Sequence, residues 1–184
     1  EQLIKYDFAE KKEGIIQPTQ KGNTALCFPD GMPLVMGTVV SMPEFSKLSM
    51  TEICMWISLF INPCCKKGEG ATTWKAAIPN CPETLSTIFE KTQNCVPDHD
   101  FVWEMPQLVQ IWCDNKDFIK VAERLETCRL GDFIKGILRI CNFLDQVKNA
   151  CAIRENYDSI NLLDDHMDKL FSGVVTNNSL YITT

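Results

Sequence analysis

Several sequence signatures of enzymes are absent from this chain of 184 residues. It has no phosphate-binding glycine loop ending in Lys-Ser/Thr, no dinucleotide-binding glycine fingerprint, no Gly-x-Ser-x-Gly elbow and no His-Glu-x-x-His pair. Its two histidines, His99 and His166, are not next to an evident nucleophile, so a Ser-His or Cys-His catalytic unit has little support. These absences indicate that the chain supplies no catalytic residues of its own.

Long hydrophobic runs are also missing. The most apolar stretch, 53–61, is interrupted by Ser58 and is far shorter than the roughly 20 residues of a membrane-spanning helix. We therefore expect no contact with a membrane. Residue 1 is Glu and no signal-peptide pattern follows it, so we expect a fragment or an already processed chain.

The chain lacks an excess of positive charge. Its 18 Lys and Arg residues against 24 Asp and Glu residues leave a net charge of -6, which repels polyphosphate at long range. Any contact with nucleic acid must therefore be local. The 45% of apolar and 23% of charged residues are typical of a globular domain, which argues against a disordered or fibrous protein.

Cysteine is abundant, but no Cys-x-x-Cys pair occurs among the ten. Four of them fall inside helical patterns, where a free cysteine acts as a small buried hydrophobe: Cys54, Cys113, Cys141 and Cys151. This placement favours a reducing compartment, nuclear or cytoplasmic. A weaker alternative is a structural zinc site, whose candidate ligands in the loop-rich middle are Cys64, Cys65, Cys81, Cys95 and His99. Their spacing argues against it, and unpaired thiols are the simpler interpretation.

The hydrophobic periodicity predicts a mainly α fold, a helical bundle preceded by a short β-hairpin. Two extended runs, 14–19 and 25–28, flank a turn at 21–23 and predict the hairpin. Ser49 and Glu52 form a capping-box pattern that starts a helix. The longest predicted helix, from about residue 132 to residue 151, is apolar around most of its circumference and is therefore expected to be central.

One polar row interrupts this central helix. The row consists of Lys135, Arg139, Asn142 and Gln146, at spacings that place them on a single face. It contains no carboxylate, which suits a surface along which a phosphate backbone or stacked bases pass. The alternative is the solvated edge of a core helix. Trp56 and Trp112 lie on apolar helix faces and are predicted to be core residues. Trp74 and Trp103 lie near loops, and the pattern does not decide whether they are buried or stack on bases.

Six segments follow one another in an order that is characteristic: 19–25 (TQKGNTA), 30–34 (DGMPL), 45–53 (FSKLSMTEI), 109–112 (VQIW), 130–135 (LGDFIK) and 178–182 (NSLYI). In these segments the chain resembles the C-terminal region of superkiller-type (Ski2-like) DExH RNA helicases, the exosome-associated family. Leu138, Cys141 and Asn142 depart from the residues usual in the family, which indicates a divergent member.

The resemblance implies a winged-helix remnant with a β-hairpin over 1–30 and a helical ratchet domain over 31–184. It implies that Lys135 and Arg139 face single-stranded RNA, with DNA as an alternative strand, and the spacing adds Asn142 and Gln146. It further implies that ATP and Mg²⁺ bind ATPase lobes upstream in the same polypeptide, that this chain holds no cofactor, and that partners include RNA-decay or exosome-type proteins.

Two other functions stay open at this point. The net acidity and the altered polar row permit a stand-alone helical module that binds protein and not nucleic acid. The central cysteines permit a small zinc-stabilised domain.

Overall fold

A two-stranded hairpin precedes a bundle of helices in the structure, a computed structural model that describes residues 1–61, 73–126 and 128–171. The mainly α fold and the hairpin near the N-terminus are therefore confirmed. The elements in chain order are α1 (Gln2–Lys5), β1 (Ala9–Lys12), β2 (Ile15–Pro18), α2 (Gln20–Leu26), α3 (Pro33–Val40), a 3-10 helix (Pro43–Lys47), α4 (Met50–Ser58), α5 (Trp74–Ala77), α6 (Glu83–Cys95), α7 (Glu104–Asn115), α8 (Phe118–Ala122), α9 (Leu130–Ile153) and α10 (Tyr157–Phe171).

The hairpin lies earlier in the chain than the sequence pattern predicts. Strands β1 and β2 pair antiparallel, with Lys12 opposite Ile15, and the turn between them is Glu13-Gly14. Both turn residues have positive φ, 51° and 83°, a conformation that glycine adopts without strain. The predicted first run thus contains β2, but the predicted second run, 25–28, is not a strand.

Residues 20–26 are helical because Thr19 caps them. The Thr19 hydroxyl accepts a hydrogen bond from the Gly22 amide at 3.1 Å, which satisfies one of the unpaired donors in the first turn of α2. Gly22 is needed for close approach and not for a turn, since a Cβ there would lie 2.0 Å from the carbonyl oxygen of Phe8. The sequence of a short run with a central glycine does not distinguish a helix from a strand, and tertiary contacts decide which one forms.

The predicted capping box at the start of α4 is confirmed. The Ser49 hydroxyl accepts from the Glu52 amide at 3.3 Å, and the Ser49 amide donates to the Glu52 carboxylate at 2.7 Å. Helix α4 makes its largest contact with α7 and also packs against α6, where Trp56 Nε1 donates to the buried Thr92 hydroxyl at 3.0 Å. This helix therefore lies at the centre of the apolar core.

All four tryptophans are buried. Trp56 and Trp112 are core residues as predicted, and Trp112 Nε1 donates to the carbonyl oxygen of Leu170 in α10 at 3.1 Å. Trp74 and Trp103 are also buried, and each ring contacts Phe89. None of these four indoles is therefore exposed enough to stack on a base.

Helix α9 is central, as predicted. Its main contacts are with α2, α3, α4, α8 and α10. Ten of its 24 residues are buried, including Phe133, Ile137, Ile140 and Leu144. The division of the chain at residue 30 stays a prediction, and α2 packs against both α3 and α9 across that division.

Candidate nucleic-acid interface

The predicted polar row occupies the face of α9 that the neighbouring helices leave open. Lys135, Arg139 and Asn142 are exposed, whereas Gln146 is half-buried. Successive residues in an α-helix rise 1.5 Å, so the three exposed side chains span about 10 Å along one edge of the domain. The structure therefore brings together the four residues that the spacing placed on one face, but it gives them different surroundings.

The two cationic residues of this row, Lys135 and Arg139, differ in whether another side chain holds them in place. The Lys135 side chain is 78% exposed, and its ammonium lies 3.4 Å from the Asp132 carboxylate one turn earlier. The Asp132 side chain is only 18% exposed, so the mobile partner of this pair is the lysine, whose ammonium is free to turn toward another anion. Arg139 has no hydrogen-bond or ion-pair partner within the described part of the chain. Its guanidinium, with five donors, is thus available for an external phosphate.

Asn142 continues the row with a neutral amide. It is exposed and has no hydrogen-bond partner among residues 1–61, 73–126 and 128–171. A carboxamide both donates and accepts, so it can pair with a sugar, a phosphate or any base edge. The side chains at 139 and 142 are therefore the two whose hydrogen-bonding capacity the fold leaves unused.

Gln146 is held by the fold. Its Nε2 donates to the Asp30 carboxylate at 2.9 Å, across 116 positions of sequence. Its Oε1 is buried and has no donor among the described residues. The reverse orientation of the amide would bring that oxygen against the Asp30 carboxylate, so electrostatics fixes the observed one. Gln146 therefore anchors the 30–31 turn to α9.

The turn that carries Asp30 is closely packed on α9. A Cβ at Gly31 would lie 2.5 Å from the sulfur of Met36 and 3.0 Å from the ring of Phe143. Any larger residue at 31 would have to displace these two side chains, so glycine favours the close approach that brings Asp30 within reach of Gln146. Sequence reasoning missed Asp30, and no local pattern reveals it, because the contact is formed by the packing of the turn against α9.

The exposed face of α9 changes charge along its length. Its N-terminal half carries Lys135 and Arg139, and the next turns carry the exposed Asp145 and the Asp30 carboxylate that Gln146 holds. A polyanion is attracted to the first part and repelled by the second. The cationic part of the row therefore covers only the stretch from residue 135 to residue 139, with Asn142 at its boundary.

The candidate zinc ligands can be placed only in part, because Cys64 and Cys65 lie outside the described residues. Cys81 is half-buried, and burial raises the pKa of its thiol to about 11. Cys95 is exposed, and the His99 ring makes an edge contact with Phe101 at 4.6 Å. Across the described ranges, no three His, Cys, Asp or Glu side chains form a group that could hold a metal.

The helices show no membrane-spanning segment. Within residues 1–61, 73–126 and 128–171, none is both long enough and apolar enough to cross a bilayer. Even α9, the longest of them, carries its charged and amide row on the open face.

Comparison with known proteins identifies the family to which this chain belongs. None of the curated proteins that were compared matches the chain. The family model described as the DSHCT (NUC185) domain matches residues 16–177, a range that includes all helices from α2 to α10 and the whole polar row. The chain therefore belongs to the DSHCT (NUC185) domain family, the C-terminal domain of Ski2-like helicases.

Proposed function

We propose that this domain guides a single RNA strand along α9 as the strand leaves the point of unwinding in a DExH-type helicase. The observation that carries the proposal is the exposed row of Lys135, Arg139 and Asn142 on a helix whose other faces are buried. A cationic row on the open side of a central helix is both fixed in position and accessible to a strand.

Each residue of the row has a distinct role in this proposal. Lys135 and Arg139 contact successive phosphates, and such contacts position a strand without reading its sequence. Asn142 adds a sequence-tolerant hydrogen bond. Gln146 completes the row as an anchor, because its amide reaches a strand only when its hydrogen bond to Asp30 opens. The carboxylates of Asp30 and Asp145 then direct the strand away from the C-terminal half of α9.

The energy for strand movement comes, in this proposal, from ATPase lobes upstream in the same polypeptide, where ATP and Mg²⁺ bind. Residues 1–30 are the remnant of a winged-helix domain, and residues 31–184 are the ratchet domain. The parent protein acts in an intracellular compartment with RNA-decay or exosome-type partners. The family membership supports these assignments, since the DSHCT domain is the C-terminal part of such helicases.

Substitution of the two cationic residues by alanine tests the proposal. In the parent helicase, Lys135→Ala combined with Arg139→Ala should lower strand unwinding while ATP hydrolysis without nucleic acid stays unchanged. Parallel assays on RNA and DNA duplexes show which strand is accepted. If the variant unwinds duplexes as fast as the unaltered helicase, the row has no role in strand guidance.

A second candidate function, protein binding by the N-terminal segment, has its own supporting observation. Ile15 and Ile16 are 70% and 64% exposed, and Leu3 and Tyr6 nearby in the chain are also exposed. Ile15 and Ile16 are neighbours in β2 and therefore point to opposite faces of the hairpin, so each face presents an exposed apolar side chain to a protein partner. We assign this contact to the ATPase lobes of the same polypeptide. In the alternative, the chain is a stand-alone adaptor, and the same side chains would bind a separate protein. Replacing Lys135 and Arg139 with Ala would then leave its function unchanged.

A further inference from the structure

The polar row on α9 meets a carboxylate of the domain at each end. Asp132 is three residues before Lys135, so it lies at the N-terminal end of the same helix face. At the other end, the Asp30 carboxylate accepts the hydrogen bond of Gln146. The two middle members of the row have no hydrogen-bond or ion-pair partner in the described part of the chain. The fold therefore supplies its own anions to the ends of the row and leaves the middle open.

The pair at the N-terminal end joins two side chains of unequal freedom. The Lys135 ammonium lies 3.4 Å from the Asp132 carboxylate, and the two side chains are 78% and 18% exposed. Asp132 is also the acidic residue in the first turn of α9, where the positive end of the helix dipole attracts a carboxylate. The carboxylate is thus held on the helix, whereas the lysine side chain can swing away from it.

A carboxylate and a phosphate compete for the same ammonium group. Both are oxygen anions, and a lysine ammonium is a compact charge with three rotatable donors that suits either of them. Because Lys135 is largely exposed, an arriving phosphate can reach its ammonium without moving a buried group. When the phosphate leaves, the carboxylate is still in place to take the ammonium back.

We propose that Asp132 is an internal competitor for Lys135, a positioning residue that weakens the grip of α9 on the strand so that a bound phosphate is released. This inference rests on the proposed function of the row and adds a regulation of that same site. A strand that advances along a helix has to leave each contact as well as form it. With Asp132 in place, Arg139 holds the strand while Lys135 exchanges between the carboxylate and a passing phosphate.

A purely structural role of Asp132 has a different signature. A residue that only stabilises the start of α9 changes the free energy of unfolding and leaves the number of phosphate contacts unaltered. A competitor changes how many phosphates the row contacts, and that number sets the slope of log affinity against log salt. The test therefore measures the slope.

The assay is fluorescence anisotropy of a labelled single-stranded oligouridylate, titrated with the full chain at several salt concentrations. Asp132→Asn removes the competing charge and should steepen the slope by up to about 0.7, the value of one phosphate contact on a single strand. Between 50 and 200 mM salt the variant should then lose up to roughly 2.6-fold more affinity than the unaltered chain. At the lowest salt it should bind more tightly.

A double-mutant cycle assigns the effect to the lysine. In a chain that already carries Lys135→Ala, the further change Asp132→Asn should leave the slope unaltered, because no ammonium remains to be released. Asp132→Glu keeps the charge and should bind like the unaltered chain. The matched control Asp98→Asn removes one negative charge from an exposed position in the segment after α6, so it should not steepen the slope.

A second neutral variant keeps the test available where Asp132→Asn fails to fold. Asp132→Ser removes the same charge, and serine also suits the start of a helix, so it should steepen the slope in the same way.

Three results would overturn the inference. One is an equal slope for the neutral Asp132 variants and the unaltered chain. Another is the same steepening in the Lys135→Ala background, since Asp132 would then act on the strand directly and not through the lysine. The third is an equal steepening by Asp98→Asn.

The two proposals fail in distinguishable ways. If Lys135→Ala combined with Arg139→Ala leaves the slope of the unaltered chain unchanged, the proposed function of the row is refuted. If that double variant lowers the slope but Asp132→Asn does not steepen it, only the role of Asp132 is refuted.

Discussion

The salt dependence of strand binding measures how many cations of the polar row contact phosphates. Replacing both Lys135 and Arg139 with Ala removes the two cations without altering any buried side chain, since both are exposed on α9. Binding of a cation to a phosphate releases a condensed counterion, so each contact adds to the slope of log affinity against log salt. The double variant should therefore bind more weakly and with a shallower slope.

The expected magnitude follows from the number of contacts. Each phosphate contact on a single strand contributes about -0.7 to the slope, so two contacts contribute about -1.4. Lys135 is shared with Asp132 at 3.4 Å, which places the combined change between about 0.7 and 1.4. For a salt increase from 50 to 200 mM, the unaltered domain should lose roughly three- to sevenfold more affinity than the variant.

The assay is fluorescence anisotropy of a labelled single-stranded oligonucleotide, titrated with the domain at several salt concentrations. Low salt is needed because the domain carries a net charge of -6. The matched control replaces Lys47 and Lys91, which are exposed on the 3-10 helix and on α6, with Ala. It changes the net charge equally but leaves α9 intact, so its slope should equal that of the unaltered domain.

Two results would refute the reasoning. If the slope of the Lys135 and Arg139 variant equals that of the unaltered domain, the row makes no phosphate contact. If the control variant lowers the slope by the same amount, binding depends on the net charge of the domain and not on the cations of α9.

Further predictions concern packing, the anchor and the hairpin. Gly37→Ala should lower the free energy of unfolding by about 1–3 kcal/mol in urea melts, because its Cβ would lie 2.6 Å from a neighbouring side chain, whereas Gly131→Ala meets nothing within 4 Å and should not destabilise. Gln146→Ala should weaken strand binding less than Asn142→Ala, and a larger effect would contradict the anchor role. Ile16→Glu should change the unfolding free energy by less than about 0.5 kcal/mol while lowering strand-stimulated ATP hydrolysis in the parent helicase; unaltered hydrolysis would argue against lobe contact.

Helices α4 and α9 were predictable because the interactions that define them are local. The capping box joins Ser49 to Glu52, three residues away, and the apolar spacing of α9 predicts the side on which it packs. The polar row was visible for the same reason, since helical geometry alone places its members on one face. The order of the motifs also indicated the family that the domain comparison shows.

The hairpin shows where local patterns become ambiguous. Segments 14–19 and 20–26 are short and contain glycine, so periodicity alone does not distinguish a strand from a helix. The contact of Gly22 with the carbonyl oxygen of Phe8 and the cap from Thr19 decide the outcome. The first of these joins residues 14 positions apart, and the sequence carries no marker for it.

The sequence by itself determined which residues form the row on α9 and that this helix is central, because both follow from helical periodicity. Only the tertiary structure decided which members are available. It joins Gln146 to Asp30 and leaves Arg139 without a partner in the described residues. These differences arise from contacts between residues far apart in the chain, which depend on how the helices pack and not on their order.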